Sequence, residues 1–359
     1  MTRSPRVCIV IPTYNEVENI RGLLGGLREV LESRGFGDFE IIVVDDDSPD
    51  GTWRAVLEES ARDSRVKLVR RVGVRGLGSA IVEGLGRCSS DYSIVMDADF
   101  QHPLGVVPRL VEEALRNNAD IVVASRYSPG GSIRGWSFLR RIVSLGALAL
   151  AYTLVGESRR TRDPISGFFL VKKGVSLEGV NGASYKVLLE ILAANPQAKV
   201  VDVPYVFERR LKGSSKLGFR DTIDYLIQVL SISRMARFAL IGLTGIPVNL
   251  GVMALLLSLG APVDIASLTG IEASVAWNYT LHELWTFKYK FRGGFASATS
   301  RYVGYHMSVL AGLATQYATM RSFYTLLGVN PLLGQLAGIV LGFLVNFLLS
   351  RGLVWRRAY

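Results

Sequence analysis

Up to about residue 200 the chain alternates short, continuous apolar runs with longer stretches in which apolar positions recur every three to four residues. The runs at 7–11, 41–44, 66–69, 92–96 and 121–124 are rich in Val and Ile and predict strands buried on both faces. Between them, residues 17–31 place Val17, Ile20, Leu23, Leu24, Leu27, Val30 and Leu31 at helical spacing, with Asn15 and Glu18 positioned as a capping pair. Residues 77–87 predict a Gly-rich helix and 103–117 another, while 45–51 reads as a turn. Strands separated by helices imply an α/β fold with a mostly parallel sheet, whose ligands bind at the carboxyl ends of the strands.

The pattern changes towards the C-terminus. Residues 137–155 and 219–234 are amphipathic, which suits either core packing or a position in the headgroup plane of a membrane. Four apolar spans follow, at about 238–259, 265–285, 303–327 and 332–350. Each reaches or nears the roughly 20 residues that cross a bilayer. Lys288, Lys290, Arg292 and Arg301 lie between the second and third spans, and Arg351, Arg356 and Arg357 follow the fourth. The connections at 260–264 and 328–331 hold no Lys or Arg, so the positive-inside rule puts the first two hundred residues and the C-terminus on the cytoplasmic side. The spans also repeat in pairs: Arg237-Phe238 parallels Arg301-Tyr302, and Asn278-Tyr279 parallels Asn346-Phe347. Glu272 and Arg321 fall at similar depth and are expected to pair across facing helices.

Composition sharpens this picture. Hydrophobic residues make up 49% of the 359, charged residues 20%, and the net charge is +10. Such a balance suits an anionic partner; the apolar C-terminal third favours the lipid bilayer, and a nucleic-acid role is excluded because the cations gather near the spans and the acidic loops. Cys8 and Cys88 lack metal-ligand spacing and are expected to be reduced core residues. The N-terminus runs straight into a strand, and no signal peptide is expected.

Candidate chemistry lies at the strand ends. Asp97-Ala98-Asp99 closes an apolar strand, and two carboxylates so placed suit a hard divalent ion that completes its shell with phosphate oxygens and water. Two more polar loops, Pro12-Thr13-Tyr14-Asn15-Glu16 and Val44-Asp45-Asp46-Asp47-Ser48-Pro49-Asp50, would converge on the same edge of a parallel sheet, although part of each must cap a helix. IPTYNE at 11–16, VVDDDSPDGTW at 43–53, MDADFQHP at 96–103, ASRY at 124–127 and DPISGFF at 163–169 complete the set.

On these blocks, over residues 5–218, the chain resembles family-2 glycosyltransferases of the GT-A fold, most closely the dolichol-phosphate mannose synthases, and the last third resembles a GtrA-like domain of four membrane helices. The resemblance implies a Rossmann-like, mostly parallel catalytic domain (1–218), an interfacial linker (219–236) and an all-α transmembrane domain (237–359). It implies that Pro12, Tyr14, Glu16, Val44 and Asp46 hold the nucleoside of GDP-mannose, and that Asp97, Ala98, Asp99 and Gln101 surround the diphosphate. Asp97, Asp99 and Gln101 would hold Mg²⁺ or Mn²⁺. Arg126, Arg140, Lys186, Arg210 and Lys216 would form the cationic side of the site, with Asp99, Arg126, Arg140 and Lys186 closest to catalysis. The acceptor would be dolichyl or another polyprenyl phosphate, already largely dianionic at pH 7, so no general base is expected and His102 reads as structural. Competing readings are a polyprenyl-phosphate glucosyltransferase using a UDP-sugar and, outside enzymes, a lipid-linked-sugar flippase with a nucleotide-binding domain.

Overall fold

The run VCIVIPT forms β1 (Val7–Thr13), with every residue buried. It is followed by α1 (Val17–Ser33), β2 (Phe39–Asp45), α2 (Thr52–Arg62), β3 (Val66–Arg70), α3 (Leu77–Arg87), β4 (Tyr92–Val95), α4 (Val106–Asn117) and β5 (Ile121–Ser125). Then come a two-residue β6 (Ser132–Ile133), α5 (Phe138–Leu154), β7 (Phe169–Lys172), α6 (Val187–Ala194), β8 (Val200–Pro204), a two-residue β9 (Val206–Phe207) and α7 (Phe219–Ile232). The computed structural model describes residues 5–182, 185–209, 219–286 and 295–353. Its contacts divide the chain into two units, Met1–Ser233 and Arg234–Tyr359.

Among the described residues of the first unit the main sheet has the order β3-β2-β1-β4-β7-β5-β8. All its pairings are parallel except those of β7, which runs antiparallel to β4 and β5. Alternate side chains of β1 feed two cores. Val7, Ile9 and Ile11 pack with α1, α2 and α4 on one face. Cys8 and Val10 pack with α3 and α6 on the other. The strand order reverses between β1 and β4, which opens a crevice at their carboxyl ends.

On the second face α3 lies tight against β1, since a Cβ on Gly84 would come within 2.3 Å of the Val10 side chain. That close approach corrects the expectation of reduced cysteines. Cys88, just past α3, is disulfide-bonded to Cys8 on β1, with the Cα atoms 5.9 Å apart.

A third apolar cluster joins α5 and α7 through Leu148, Ala151, Tyr225 and Val229. Tyr225 Oη donates to the Ala147 carbonyl at 2.7 Å, and Ser233 Oγ to the Leu154 carbonyl at 2.5 Å. Both helices expose apolar side chains on their other faces: Phe138, Leu139, Ile142 and Val143 on α5, and Ile223, Leu226, Ile227 and Leu230 on α7.

The second unit consists, among the described residues, of α8 (Arg234–Ser258), α9 (Val263–Leu281), α10 (Phe295–Leu327) and α11 (Pro331–Leu353). One stretch, Ala239–Ser258, is long and apolar enough by itself to cross a membrane. The expected repeat is visible in packing. Asn278 of α9 lies against Gly245 of α8, and Asn346 of α11 lies against Gly312 of α10, at sites where a Cβ would stand 2.7 and 2.2 Å from the respective amide. Asn249, Ser274, Ser267 and Gln335 form a buried hydrogen-bonded chain across α8, α9 and α11.

The expected Glu272–Arg321 pair is not formed. Arg321 Nη1 donates to both oxygens of Asp264 at 2.8 Å, while Glu272 accepts from Tyr302 Oη and lies 3.7 Å from His306 Nδ1. Arg321 has a long, flexible arm that reaches a carboxylate in the first turn of α9, near the helix end, where a charge keeps more of its hydration.

Candidate active site

The β1–α1 and β2–α2 loops are built around each other. Asp45, fully buried, accepts from Thr13 Oγ1 (2.8 Å), Ser48 N (2.8 Å) and Ser48 Oγ (2.7 Å). The start of α1 is then capped from the second loop: Asn15 N donates to Ser48 Oγ, Glu16 N to Thr52 Oγ1, and Val17 N to Asp50 Oδ2. This replaces the expected Asn15–Glu18 capping pair. Asn15 sits at φ 57 in the left-handed region, and Glu16 occupies the N-cap without a side-chain cap bond. Part of the acidic composition of these loops is therefore architectural.

The remaining groups face the crevice. Pro12 and Val44 are register partners across β1 and β2, both buried. Asp46 is held from two sides, accepting from Arg71 Nε at 2.7 Å and from Gly76 N at 2.8 Å. Arg71 also donates to the Gly76 carbonyl and to Ser79 Oγ, so one buried arginine fixes the β3–α3 loop against the end of β2. Gly76 has φ +145, a conformation that L side chains rarely adopt. From the same loop, Arg75 covers the ring of the half-buried Tyr14 at 4.7 Å.

At the end of β4, Asp97 keeps 37% of its side chain exposed, whereas Asp99 is buried. Phe100 takes a left-handed φ of 59, which turns the chain so that Gln101 N donates to Asp99 Oδ1 at 3.0 Å. Gln101 Nε2 donates to the Glu208 carbonyl, and Glu208 N returns a bond to the Gln101 carbonyl, so the amide oxygen is the group Gln101 offers elsewhere. His102 is enclosed, stacked on Phe168 with centroids 4.8 Å apart and edge-on to Tyr205 and Phe207. Burial pushes its pKa down to about 4, outweighing the pull of Asp99, so the ring is neutral. Its Nδ1 accepts from Asp97 N at 3.2 Å, which makes it a brace for the Asp97 backbone.

The cations gather on the neighbouring elements. Arg126, just past β5, forms a buried fork with Asp163: Nε to Oδ2 at 2.7 Å and Nη2 to Oδ1 at 2.8 Å, with the Arg126 backbone N also donating to Oδ2. Burial opposes the charge, but Asp163 outweighs it and holds the guanidinium well above its ordinary pKa. Trp136 lies between two guanidiniums, 5.5 Å from Arg126 and 4.6 Å from Arg140. Lys186 sits over the Tyr185 ring at 4.6 Å. Although part of its surface is open, dense surroundings desolvate it, and with the nearby Arg126 charge they push its pKa down to about 8 against the pull of Asp163 and Asp97.

The structure thus brings Asp97, Asp99, Arg126, Arg140 and Lys186 into one field of charges, with the neutral Gln101 two residues past Asp99 and with Pro12, Tyr14, Glu16, Val44, Asp46 and Ala98 on the ends of the adjoining strands and their loops. Arg210 and Lys216 lie outside the described residues. Sequence reasoning missed Arg71, Arg75, Trp136 and Asp163 as site residues. Asp163 alone carried a signal, as the first residue of DPISGFF.

Comparison with known proteins follows the same division of the chain. Residues 8–176 match Glycosyl transferase family 2, and residues 237–355 match the GtrA/DPMS transmembrane domain. The dolichol-phosphate mannosyltransferase of Pyrococcus furiosus is 38% identical over 359 residues, spanning 98% of this chain and 99% of that protein. The chain belongs to the dolichol-phosphate mannosyltransferase family. The Saccharomyces cerevisiae member is 33% identical over 231 residues, 62% of this chain and 84% of that protein. The Mycosarcoma maydis member is 33% identical over 261 residues, 70% of this chain and 87% of that protein. Among solved structures, the glucosyl-3-phosphoglycerate synthase from Mycobacterium tuberculosis, in complex with Mn²⁺, UDP-glucose and phosphoglyceric acid, is 22% identical. It covers 64% of this chain and 79% of that one, with a TM-score of 0.48. The family's catalytic part is a glycosyltransferase of the GT-A type, and here it is the mostly parallel sheet of the first unit.

Proposed function

We propose that the chain transfers mannose from GDP-mannose to dolichyl or another polyprenyl phosphate, inverting the anomeric centre. The observation that carries this reading is the opposition, at one sheet edge, of the Asp97–Asp99 carboxylates and the Lys186, Arg126 and Arg140 cations. Two anionic phosphates have to be brought together in this reaction, and the cations offset their repulsion.

The acceptor phosphate is largely dianionic at pH 7 and attacks without a base. One of its oxygens forms the bond to the anomeric carbon as the bond from that carbon to the donor diphosphate breaks. The electron pair leaves with GDP and no proton changes hands. Lys186, charged below its pKa of about 8, meets the acceptor phosphate. Arg126 is held at a fixed angle by Asp163, so its charge is in place before substrate arrives. Tyr14 and Arg75 offer a ring and a guanidinium face to the base, and Asp46 anchors the loop beside it.

The donors at the end of β4 fit a divalent ion. They are all oxygens: the half-exposed Asp97, the buried Asp99 and the Gln101 amide oxygen. Among the described residues no three His, Cys, Asp or Glu side chains converge, so substrate phosphate and water would complete the shell. Mg²⁺ or Mn²⁺ held there would neutralise charge on the departing diphosphate.

In this reading α8, α9, α10 and α11 span the bilayer, with the first unit and the C-terminus cytoplasmic, an orientation that the Lys and Arg distribution supports. The exposed apolar faces of α5 and α7 rest in the headgroup region, which brings the site to an acceptor confined to the membrane.

The test is to incubate purified full-length protein with dolichyl phosphate, Mn²⁺ and radiolabelled GDP-mannose, then extract the organic phase. Label in the lipid, lost in Asp99→Ala, supports the assignment. Label from UDP-glucose and none from GDP-mannose overturns the choice of donor.

A further inference from the structure

Beside its apolar packing, α7 is hydrogen-bonded to the cationic wall of the site through a buried side chain. Gln228, only 3% exposed, donates through Nε2 to the Lys186 carbonyl at 3.2 Å and to Glu190 Oε1 at 2.6 Å. The Glu190 carboxylate, itself buried, accepts on Oε2 from Asn181 N at 2.9 Å and Gly182 N at 3.2 Å. Gly182 has φ +61, and a Cβ there would meet the Gly78 backbone at 2.4 Å, so this loop rests on the first turn of α3. That turn begins beside Gly76, whose N–H binds Asp46. One run of contacts therefore links α7 to Lys186 on the acceptor side and to the loop that borders the nucleoside.

Packing alone gives no reason for an amide at position 228. Among the described residues Gln228 Oε1 is buried with no hydrogen-bond partner, and a buried polar atom left unsatisfied is destabilising. The amide is explained by what its nitrogen holds. The opposite face of α7, with Ile227 59% exposed, is the apolar surface assigned above to the headgroup region.

We propose that Gln228 and Glu190 are positioning residues that couple the seating of α7 to the placement of Lys186, so that the cation meeting the acceptor phosphate is set by how the helix lies on its lipid surface. This rests on the reading of Lys186 as the acceptor-phosphate cation. Gln228→Leu removes the unsatisfied oxygen but also a donor to Glu190 Oε1, so thermal unfolding of the full-length variant is read beside its kinetics. Glu190→Gln, which keeps the side-chain shape, serves as a second variant.

The experiment measures transfer from GDP-mannose to dolichyl phosphate in bilayers as a function of pH and of each substrate. In both variants KM for the acceptor rises about tenfold while KM for the donor stays within about twofold. The basic limb of kcat/KM moves up from about pH 8, because a loosened Lys186 regains water. Ile223→Ser on the apolar face of α7 gives the same changes in the wild-type background and nothing further in Gln228→Leu. Wild-type values in both variants overturn the proposal, and so does a raised KM with an unmoved pH limb, which is a merely structural weakening. Full additivity of Ile223→Ser and Gln228→Leu also overturns it. If the wild type itself transfers no mannose, the functional reading fails first and takes this inference with it.

Discussion

Cutting the Arg126–Asp163 fork at one end should be among the most damaging single changes in the first unit. The side chains of the two residues are 6% and 0% exposed and share two bonds of 2.7 and 2.8 Å, with a third from the Arg126 backbone at 3.0 Å. Asp163→Ala leaves a guanidinium buried without its counter-charge, a loss of about 3–5 kcal/mol. For a domain of this size about 4 kcal/mol corresponds to a fall in Tm of about 10 °C. Replacing both residues with apolar ones, Arg126→Met with Asp163→Leu, removes the uncompensated charge and should recover part of the loss, staying about 1–3 kcal/mol short of wild type because the buried Arg126 N loses its acceptor. Transfer activity should not return, because the charge facing the phosphates is gone. Thermal unfolding of the detergent-solubilised chain, read beside the radiolabel assay, separates the two effects. If Asp163→Ala melts within about 2 °C of wild type, or the double variant is no more stable than the single one, the pair is not the buried clamp argued above.

Three further outcomes follow from other parts of the first unit. Lys186 loses its charge as pH rises through about 8, so acceptor kcat/KM should fall above that pH, and Lys186→Arg should move the limb beyond the measurable range; an unmoved limb would exonerate Lys186. His102 has a folded pKa near 4 against 6.5 unfolded, so the unfolded chain binds the extra proton between those values. Stability should therefore rise with pH from about 4 to 6.5, by up to about 3 kcal/mol, and urea unfolding of His102→Phe should lack this component. The Cys8–Cys88 bond closes a separation of 80 residues, and reducing it should cost about 4 kcal/mol, seen as a lower Tm in reductant that Cys8→Ala no longer responds to. Complete reduction by thiol titration with an unchanged Tm would contradict that value.

Much of the catalytic fold was legible along the chain because its signals are local. The apolar runs at 7–11, 41–44, 66–69, 92–96 and 121–124 became β1 to β5, each within two residues of the expected bounds at either end. A strand buried on both faces has few sequences open to it. The acidic loops and Asp97–Asp99 were legible for a related reason: a parallel sheet delivers every strand end to one edge. In the C-terminal third the Asn278 and Asn346 correspondence proved to be a packing repeat, each amide set against a helix glycine.

Pairing between distant side chains was not legible. Strand and helix periods report which face of an element is buried, and so they determined the sheet, the cores and the edge that carries the chemistry. They do not report which charge lies opposite which. Arg126 with Asp163, Asp46 with Arg71, Arg321 with Asp264 in place of Glu272, and Cys8 with Cys88 were decided only by the tertiary structure, because each depends on how closely two elements approach. A long arginine arm selects its carboxylate by distance in space, and a disulfide needs two Cα atoms about 5–6 Å apart. The sequence by itself determined the kind of chemistry and the sheet edge where its candidate residues gather; the packing of α3 on β1, of Asp163 under Arg126 and of α7 beneath Lys186 decided which side chains meet.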